Sequence, residues 1–360
     1  MSTQPTSHGV VPQRLAHVRQ LMSREGIHAL LVPSADPHLS EYLPGYWQGR
    51  QWLSGFHGSV GTLIVTAQFA GLWADSRYWE QASKELKGSG IDLVKLQPGQ
   101  PGPLDWLAEQ TPSGAVVAVD GAVMALASAR TLGSRLQERG ASLRTDIDLL
   151  QQAWSDRPGL PDQPVYPHLP PQATQSRVEK LAKLRETLSE RGAQWHFIAT
   201  LDDIAWLFNL RGADVSFNPV FVSFALISQQ QATLFVALSK VDPQLRGVLE
   251  ADGVSLRDYT EVAAALAAVP EGATLQIDPA RVTTGLLNNL RSGVTLVEGL
   301  NPTTLAKSRK SPADAEHIRR AMEQDGAALC EFFAWLESAL GRERVTELTA
   351  DFGERDRAFR

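Results

Sequence analysis

The 360-residue chain is longer than one hydrophobic core usually organises, so we expect two or three domains. Hydrophobic residues make up 43% of the chain, charged residues 21%, and the net charge is -6, which excludes a strongly basic nucleic-acid-binding protein. A single cysteine, Cys330, excludes an internal disulfide, and the absence of both a signal-peptide pattern and an apolar run of ~20 residues predicts a cytoplasmic protein with no membrane partner.

The first predicted unit alternates helices with strands. Leu15, Val18 and Leu21 recur at helical spacing before Gly26, and the run IHALLVPS that follows is typical of a buried strand. The stretch GTLIVTAQFAGLWAD predicts two strands around a turn, and SRYWEQASKELKGSG predicts a helix. This alternation indicates an α/β fold, and we place the first domain at residues 1–155.

The pattern then restarts after a proline-rich stretch. Prolines crowd residues 156–174, which predicts a linker because proline stiffens a chain and removes backbone donors. Beyond it, a basic amphipathic helix again ends at glycine, a strand follows, and a Trp-Leu segment leads to another glycine. This internal repeat predicts a second, related domain over residues 175–307.

The last segment, residues 308–360, predicts two helices. The first is the long amphipathic stretch ADAEHIRRAMEQDGAALCEFFAWLESAL, and VTELTADFGERDRAFR begins the second. Their broad apolar faces are typical of the opening of a third domain, although the pair could instead dock on the earlier domains.

Two adjacent carboxylates, Asp202 and Asp203, stand in the stretch LDDIAWLFNLRG. Neighbouring residues of a helix do not face each other, so these carboxylates would make a poor proton-sharing pair. Aspartate is a preferred N-cap residue, and a second aspartate in the first turn gains from the helix dipole. We therefore interpret the pair as the start of a helix and not as a catalytic pair.

Metal and nucleophile motifs are weak throughout. No histidines form an HxH or HExxH pair, and the best local candidate is the group Asp36, His38 and Glu41 in ADPHLSEY, which a loop that caps a turn explains more simply. The glycine-rich run GFHGSVG is interpreted as a turn that leads into a strand. Ser59 within it does not stand in a GxSxG elbow. The residues alone predict no catalytic side chain and no metal ligand.

Arg77 is unusually placed. In WADSRYWEQA, Asp75 or Ser76 is predicted to cap a helix, so Arg77 falls in its first turn, where a cation opposes the helix dipole. An anion bound at the helix start would offset this effect, because arginine binds carboxylates through two parallel hydrogen bonds. A salt bridge to a nearby acidic residue is the alternative explanation.

Several segments resemble, in order, those of the long, three-domain Xaa-Pro aminopeptidases (aminopeptidase P). They are PSADPHLSEY, LSGFHGSVGT, LWADSRYWEQA, WSDRP, LDDIAWLFNLRGADVSFNPVF and ALCEFFAWLE, and the resemblance runs from about residue 13 to residue 360. It implies two tandem creatinase-like α/β domains, each a mixed sheet flanked by helices, followed by a pita-bread catalytic domain. It also implies a dinuclear metal centre, commonly manganese, and a homodimer that acts on peptides with a penultimate proline.

The resemblance carries over one site residue. Arg77 matches a family arginine of the first domain that lines the substrate pocket, so we predict it as substrate-binding. The family's metal ligands and catalytic histidines come later than this chain extends, so no catalytic or metal residue is carried over. The chain alone is accordingly expected to hold no cofactor and to be inactive.

Two other readings remain. One is a non-catalytic binding or regulatory protein derived from this family, and the other is a prolidase- or creatinase-type relative, which the duplicated domain disfavours. The chain ends after ERDRAFR within a predicted helix, which favours a cleaved or shortened form over a natural terminus.

Overall fold

The computed structural model describes residues 9–343 and residue 345. These residues fall into two units. One extends to Leu169 and resumes over Gln175–Lys307, and the other comprises Pro170–Thr174 and the residues from Ser308 onward. The domain limits predicted from the sequence stay predictions.

The first repeat, called repeat 1 here, covers residues 10–153. Its elements in chain order are α1 (Val10–Arg24), β1 (Ala29–Pro33), α2 (Gly49–Ser54), β2 (Thr62–Thr66), β3 (Ala70–Ala74), α3 (Trp79–Glu85), β4 (Asp92–Lys95), α4 (Pro103–Gln110), β5 (Val116–Val119), α5 (Leu126–Glu138), β6 (Ser142–Arg144) and α6 (Leu149–Ala153). Short 3-10 turns at Gly45–Trp47, Ser76–Tyr78 and Gly121–Val123 connect some of them.

The second repeat, repeat 2, covers residues 177–308 and is preceded by the short strand β7 (Tyr166–Pro167). Its elements are α7 (Arg177–Glu190), β8 (Trp195–Ile198), α8 (Leu201–Phe208), β9 (Leu210–Arg211), β10 (Ser223–Ser228), β11 (Ala232–Val236), α9 (Pro243–Ala251), β12 (Val254–Arg257), α10 (Val262–Ala267), β13 (Thr274–Ile277), α11 (Thr284–Leu287), β14 (Thr295–Glu298) and α12 (Pro302–Ser308). A 3-10 turn at Leu238–Lys240 follows β11.

The two repeats have the same sheet topology. The strand order is β4-β3-β2-β1-β5-β6 in repeat 1 and β12-β11-β10-β8-β13-β14 in repeat 2, so each strand has an equivalent at the same place. In each sheet the central strand pairs antiparallel with a hairpin strand on one side and parallel with a crossover strand on the other. The predicted α/β fold with duplicated mixed sheets is therefore confirmed.

Each sheet is covered on both faces. In β1, Leu30 and Val32 point into the core beneath α1, whereas Leu31 points into the core on the opposite face, where Leu132 and Leu136 of α5 lie. Alternate strand residues face opposite sides of a sheet, so a strand buried on both faces reads as a continuous apolar run. This geometry explains why IHALLVPS lacks polar alternation.

The second unit contains α13 (Pro312–Ala339), which confirms the first predicted helix of residues 308–360. Ser311 caps it, with its side chain accepting from the Asp314 amide and the Asp314 carboxylate accepting in return. Ile318, Met322 and Phe333 on this helix are exposed. The second predicted helix lies outside the described residues. No helix among the described residues is both long and apolar enough to cross a membrane.

Candidate functional site

The candidate site is built on the 3-10 turn that follows β3. Asp75 caps this turn, because its Oδ1 accepts from the Arg77 amide at 3.0 Å. The Arg77 side chain folds back on the same carboxylate, with Nε at 3.0 Å from Oδ1 and Nη2 at 2.8 Å from Oδ2. This guanidinium holds the pKa of Asp75 below its usual value. The salt bridge weighed from the sequence therefore exists, and Asp75 supplies it.

One edge of the Arg77 guanidinium remains open. Asp75 occupies the Nε–Nη2 edge, the planar group lies over the Tyr78 ring at 5.3 Å, and the side chain is 67% exposed. Among the described residues, none is hydrogen-bonded to Nη1. The Nη1–Nη2 edge thus faces solvent in a geometry that can receive a carboxylate through two parallel hydrogen bonds.

The glycine-rich loop, residues 55–61, packs beside this turn. The Ser59 hydroxyl lies 2.6 Å from the Tyr78 hydroxyl, and the Tyr78 ring meets Phe56 edge to face. The His57 amide donates to Glu85 at 2.8 Å, which ties the loop to α3. The loop leads into β2, as the sequence predicted, although it forms a bend at Ser59 and not a turn, and it fixes the ring on which Arg77 lies.

Arg50 holds this loop from beneath, and the sequence did not single it out. Its guanidinium is buried and donates to the Phe56 and Gly58 carbonyls and to the Ser34 hydroxyl. Burial lowers the pKa of Arg50 to about 10. No local pattern separates it from a surface arginine, because the carbonyls that it binds converge only in the folded chain.

Asp202 and Asp203 start a helix, as interpreted, but neither is its N-cap. Thr200 takes the N-cap position of α8, and both aspartates lie in the first turn. The prediction of an aspartate cap was wrong. Thr200 stands two residues before Asp202, and its hydroxyl donates to Asp203 at 2.9 Å, which orders the turn from that earlier position.

The Asp203 carboxylate is buried and connects α8 to α12. It accepts hydrogen bonds from the Thr303 and Thr304 hydroxyls, and Lys307 Nζ lies 3.0 Å from its Oδ1. Burial raises the pKa of Asp203, whereas the threonine hydroxyls act in the opposite direction. The Oδ2 atom of this carboxylate accepts from three threonine hydroxyls, two of them on α12, which supports a structural role.

The group around His38 is also structural. Asp36 Oδ1 accepts from the amides of His38 and Ser40 at 2.9 and 3.0 Å, which is the predicted loop cap. The His38 ring bridges the repeats: Nδ1 donates to the Ala199 carbonyl at 2.9 Å, and Nε2 accepts from the Tyr259 hydroxyl at 3.0 Å. Over residues 9–343, no group of three or more histidine, cysteine or acidic side chains converges as a metal site.

Comparison with known proteins finds two matches to one kind of domain. Residues 14–149 match a family model described as Creatinase/Prolidase N-terminal domain, and residues 156–314 match a second model with the same description. The two matches correspond to the two repeats and together span most of the chain.

Similar whole proteins are longer than this chain. A protein named "Probable Xaa-Pro aminopeptidase P" from Botryotinia fuckeliana is 35% identical over 350 residues, covering 94% of this chain and 54% of that protein. A protein of the same name from Aspergillus niger is 37% identical over 345 residues, covering 93% and 56%. The chain thus spans about half the length of the curated relatives that it matches.

A solved structure has the same arrangement of repeats. It is described as "Crystal structure of X-prolyl aminopeptidase from Caenorhabditis elegans: a cytosolic enzyme with a di-nuclear active site". It superposes with a TM-score of 0.87 at 28% identity, covering 95% of this chain and 58% of that chain.

Proposed function

Because the chain belongs to the creatinase/prolidase N-terminal-domain family, we propose that it is the amino-terminal portion of an Xaa-Pro aminopeptidase. The carrying observation is the superposition of both repeats on one X-prolyl aminopeptidase over 95% of this chain, with two curated relatives of the same type at 35% and 37% identity. The whole protein would be a cytoplasmic homodimer that releases the N-terminal residue of peptides with a penultimate proline.

The chemistry would belong to the part of the protein beyond this chain. A dinuclear metal centre, which we propose contains manganese, would polarise the scissile carbonyl and activate water. The described residues offer no converging ligand set for such a centre, so no catalytic step is assigned to them. This portion would instead contribute a wall of the substrate pocket and part of a dimer interface.

Arg77 is the residue that we propose touches the substrate. Its Nη1–Nη2 edge is open, Asp75 fixes the orientation of the guanidinium plane, and Tyr78 supports that plane from below. A carboxylate at the end of a short peptide, or a backbone carbonyl beyond the proline, would complete the hydrogen bonding of this edge. The arginine could act on its own subunit or across the dimer.

The test compares the 360-residue chain with the longer protein that contains it. We expect the longer protein to hydrolyse Arg-Pro-Pro with added manganese and to lose this activity with a chelator, whereas the 360-residue chain turns over none. Turnover by the pure short chain would overturn the division of labour proposed here. An inactive longer protein would favour the binding or regulatory alternative, and cleavage restricted to Xaa-Pro dipeptides would favour the prolidase alternative.

The apolar face of α13 provides a second test. Exposed residues such as Met322 and Phe333 would pack against the part of the longer protein that follows, because apolar patches of this kind mark interfaces. In the 360-residue chain we therefore expect self-association or fast amide exchange in α13, and slow exchange there in the longer protein. A monomeric short chain with slow exchange throughout α13 would contradict this assignment.

A further inference from the structure

The two repeats meet through equivalent segments. In each repeat, the segment follows the parallel strand beside the central one: β5 ends at Val119, and β13 ends at Ile277. The next residue is an aspartate in both cases. Asp120 Oδ1 accepts from the Ala122 amide at 2.8 Å, and Asp278 Oδ1 accepts from the Ala280 amide at 3.0 Å. The two segments therefore leave their strands through the same capped turn.

Beyond these turns the segments run antiparallel to each other. Ala125 lies opposite Thr283 in an isolated antiparallel bridge. Two backbone hydrogen bonds flank this pair, one from the Leu126 amide to the Val282 carbonyl and one from the Thr284 amide to the Met124 carbonyl, both at 2.9 Å. We call this pairing of residues 121–127 with residues 279–285 the repeat joint.

The repeat joint obeys a two-fold symmetry. Counted from the ends of β5 and β13, Ala125 and Thr283 occupy the same position, so the bridge pairs a position with its own equivalent. Exchanging the repeats turns each of the two flanking hydrogen bonds into the other. An interface in which each side uses the same patch against the other is isologous, as in a two-fold homodimer.

The backbones approach closely on both sides of this axis. A Cβ on Gly285 would lie 2.7 Å from the Gly121 carbonyl carbon, so this approach requires glycine. On the other side, the Ala127 amide donates to the Pro279 carbonyl at 2.9 Å. Main-chain hydrogen bonds hold the pairing itself, and the Leu126 side chain also packs in the hydrophobic core that contains Val282 and Leu287.

We infer that the repeat joint is a two-fold pairing surface whose partner is another repeat of the same fold, including one that carries the sequence of repeat 1. The surface around Ala125 pairs with Thr283 and its neighbours in this chain because they are equivalent residues, and a second copy of residues 124–126 would pair in the same way. Ala127 is the equivalent of Gly285 in such a copy, so both sides of the axis would then adopt the approach that Ala127 makes to Pro279 here. This inference does not rest on peptidase activity.

The full 360-residue chain tests the inference by a symmetrising substitution. The variant Val282→Met/Thr283→Ala/Thr284→Leu gives repeat 2 the residues of repeat 1 at the three pairing positions. The matched control places the same three side chains one residue earlier, as Arg281→Met/Val282→Ala/Thr283→Leu, which turns them to the opposite face. We expect the symmetrised variant to melt within about 3 °C of the parent and the control to melt clearly lower.

A disulfide reporter keeps the test decisive if melting is hard to interpret. Ala125 and Thr283 form a non-hydrogen-bonded antiparallel pair, whose Cα atoms typically lie about 4.5 Å apart, within disulfide range. Cys330→Ser removes the native thiol. Ala125→Cys/Thr283→Cys should then crosslink within one chain, and should still crosslink when Val282→Met/Thr284→Leu is added, as mass spectrometry would show. Loss of the crosslink in the symmetrised background, or melting as low as that of the register-shifted control, would overturn the inference.

Discussion

The turn after the third strand position of the sheet directs its basic side chain outward in repeat 1 and inward in repeat 2. After β3 in repeat 1, the turn Ser76–Tyr78 presents Arg77 to solvent, and Tyr78 meets the Ser59 hydroxyl near the surface. After β11 in repeat 2, the turn Leu238–Lys240 sends Lys240 inward. There its Nζ forms an ion pair with Asp214, with side-chain exposures of 1% and 0%.

The buried Lys240–Asp214 ion pair, called the brace here, has a structural role that the exposed Arg77 does not share. The Asp214 carboxylate also accepts from the Val222 amide at 2.6 Å, and the Lys240 carbonyl accepts from the Val165 amide at 2.9 Å, so the buried pair ties together three stretches of chain. Losing one partner of a buried pair strands a charge in the interior, whereas an exposed ion pair contributes little to stability. The same topology thus places a buried, structural ion pair in repeat 2 and an exposed ion pair, Arg77 with Asp75, in repeat 1.

The largest expected effect comes from breaking the brace of repeat 2. Lys240→Met leaves Asp214 buried without its cation, which should lower the free energy of unfolding by about 3–5 kcal/mol in denaturant titration. The double variant Lys240→Met/Asp214→Leu removes both charges and should recover most of that loss. A double variant as unstable as the single one would show that the pair does more than neutralise its own charges.

A second difference lies in the central strands, where His196 of β8 takes the place of Leu30 in β1. Burial lowers the pKa of His196 to about 4. As the pH falls, this histidine binds a proton in the unfolded chain at a higher pH than in the folded chain. The free energy of unfolding is therefore highest above pH ~6.5, and it falls by about 3 kcal/mol as the pH drops towards 4. His196→Leu should remove that much of the difference in unfolding free energy between pH 7 and pH 4. Substituting the exposed His17 by glutamine is the matched control for the loss of one histidine.

Asp120, a capping aspartate of the repeat joint, should give the free energy of unfolding a smaller pH dependence, of opposite sign to that of His196. Burial, followed by the charge of Asp148, raises the pKa of Asp120 to about 6. The folded state then holds the proton more tightly, so stability is greatest below pH ~4 and is lost as the pH rises through 6. Asp120→Asn keeps the cap and should raise the free energy of unfolding at pH 7 by about 1–3 kcal/mol, with little gain at pH 4. If the equivalent variant Asp278→Asn raised the free energy of unfolding at pH 7 by the same amount, the effect would come from removing a charge at either cap and not from the burial of Asp120.

Features that depend on neighbouring residues could be predicted from the sequence, whereas features that depend on contacts between distant residues could not. The apolar runs of β1 and β8 and the restart of the pattern after the linker identified the fold, because strand burial and repetition are local signals. The loop cap at Asp36 was predictable for the same reason. By contrast, Lys240 stands in SKVDP, which reads as a surface turn, and its partner Asp214 lies 26 residues earlier. Arg50 was missed for a different reason: its acceptors at Phe56 and Gly58 are near in the sequence, but they are backbone carbonyls, which no residue type marks.

The smallest expected effect on stability belongs to Arg77, which sharpens the contrast with Lys240. The Arg77 guanidinium is exposed, so Arg77→Ala should leave the melting temperature of the 360-residue chain almost unchanged. In the longer protein, the same change should lower kcat/KM on Xaa-Pro-Pro peptides roughly tenfold to more than a hundredfold, as expected for a lost charge-assisted hydrogen bond.

The conservative variant distinguishes geometry from charge at this position. Arg77→Lys keeps the charge but loses the planar edge that Asp75 orients, so we expect only partial recovery of kcat/KM. Full recovery would mean that the substrate needs a positive charge there but not a fork of two donors. Full activity in Arg77→Ala, or a loss of activity that follows a large fall in melting temperature, would remove Arg77 from the substrate site. Its pairing with Asp75 would then be a surface counterpart of the Lys240–Asp214 brace, and both turns would serve structure alone.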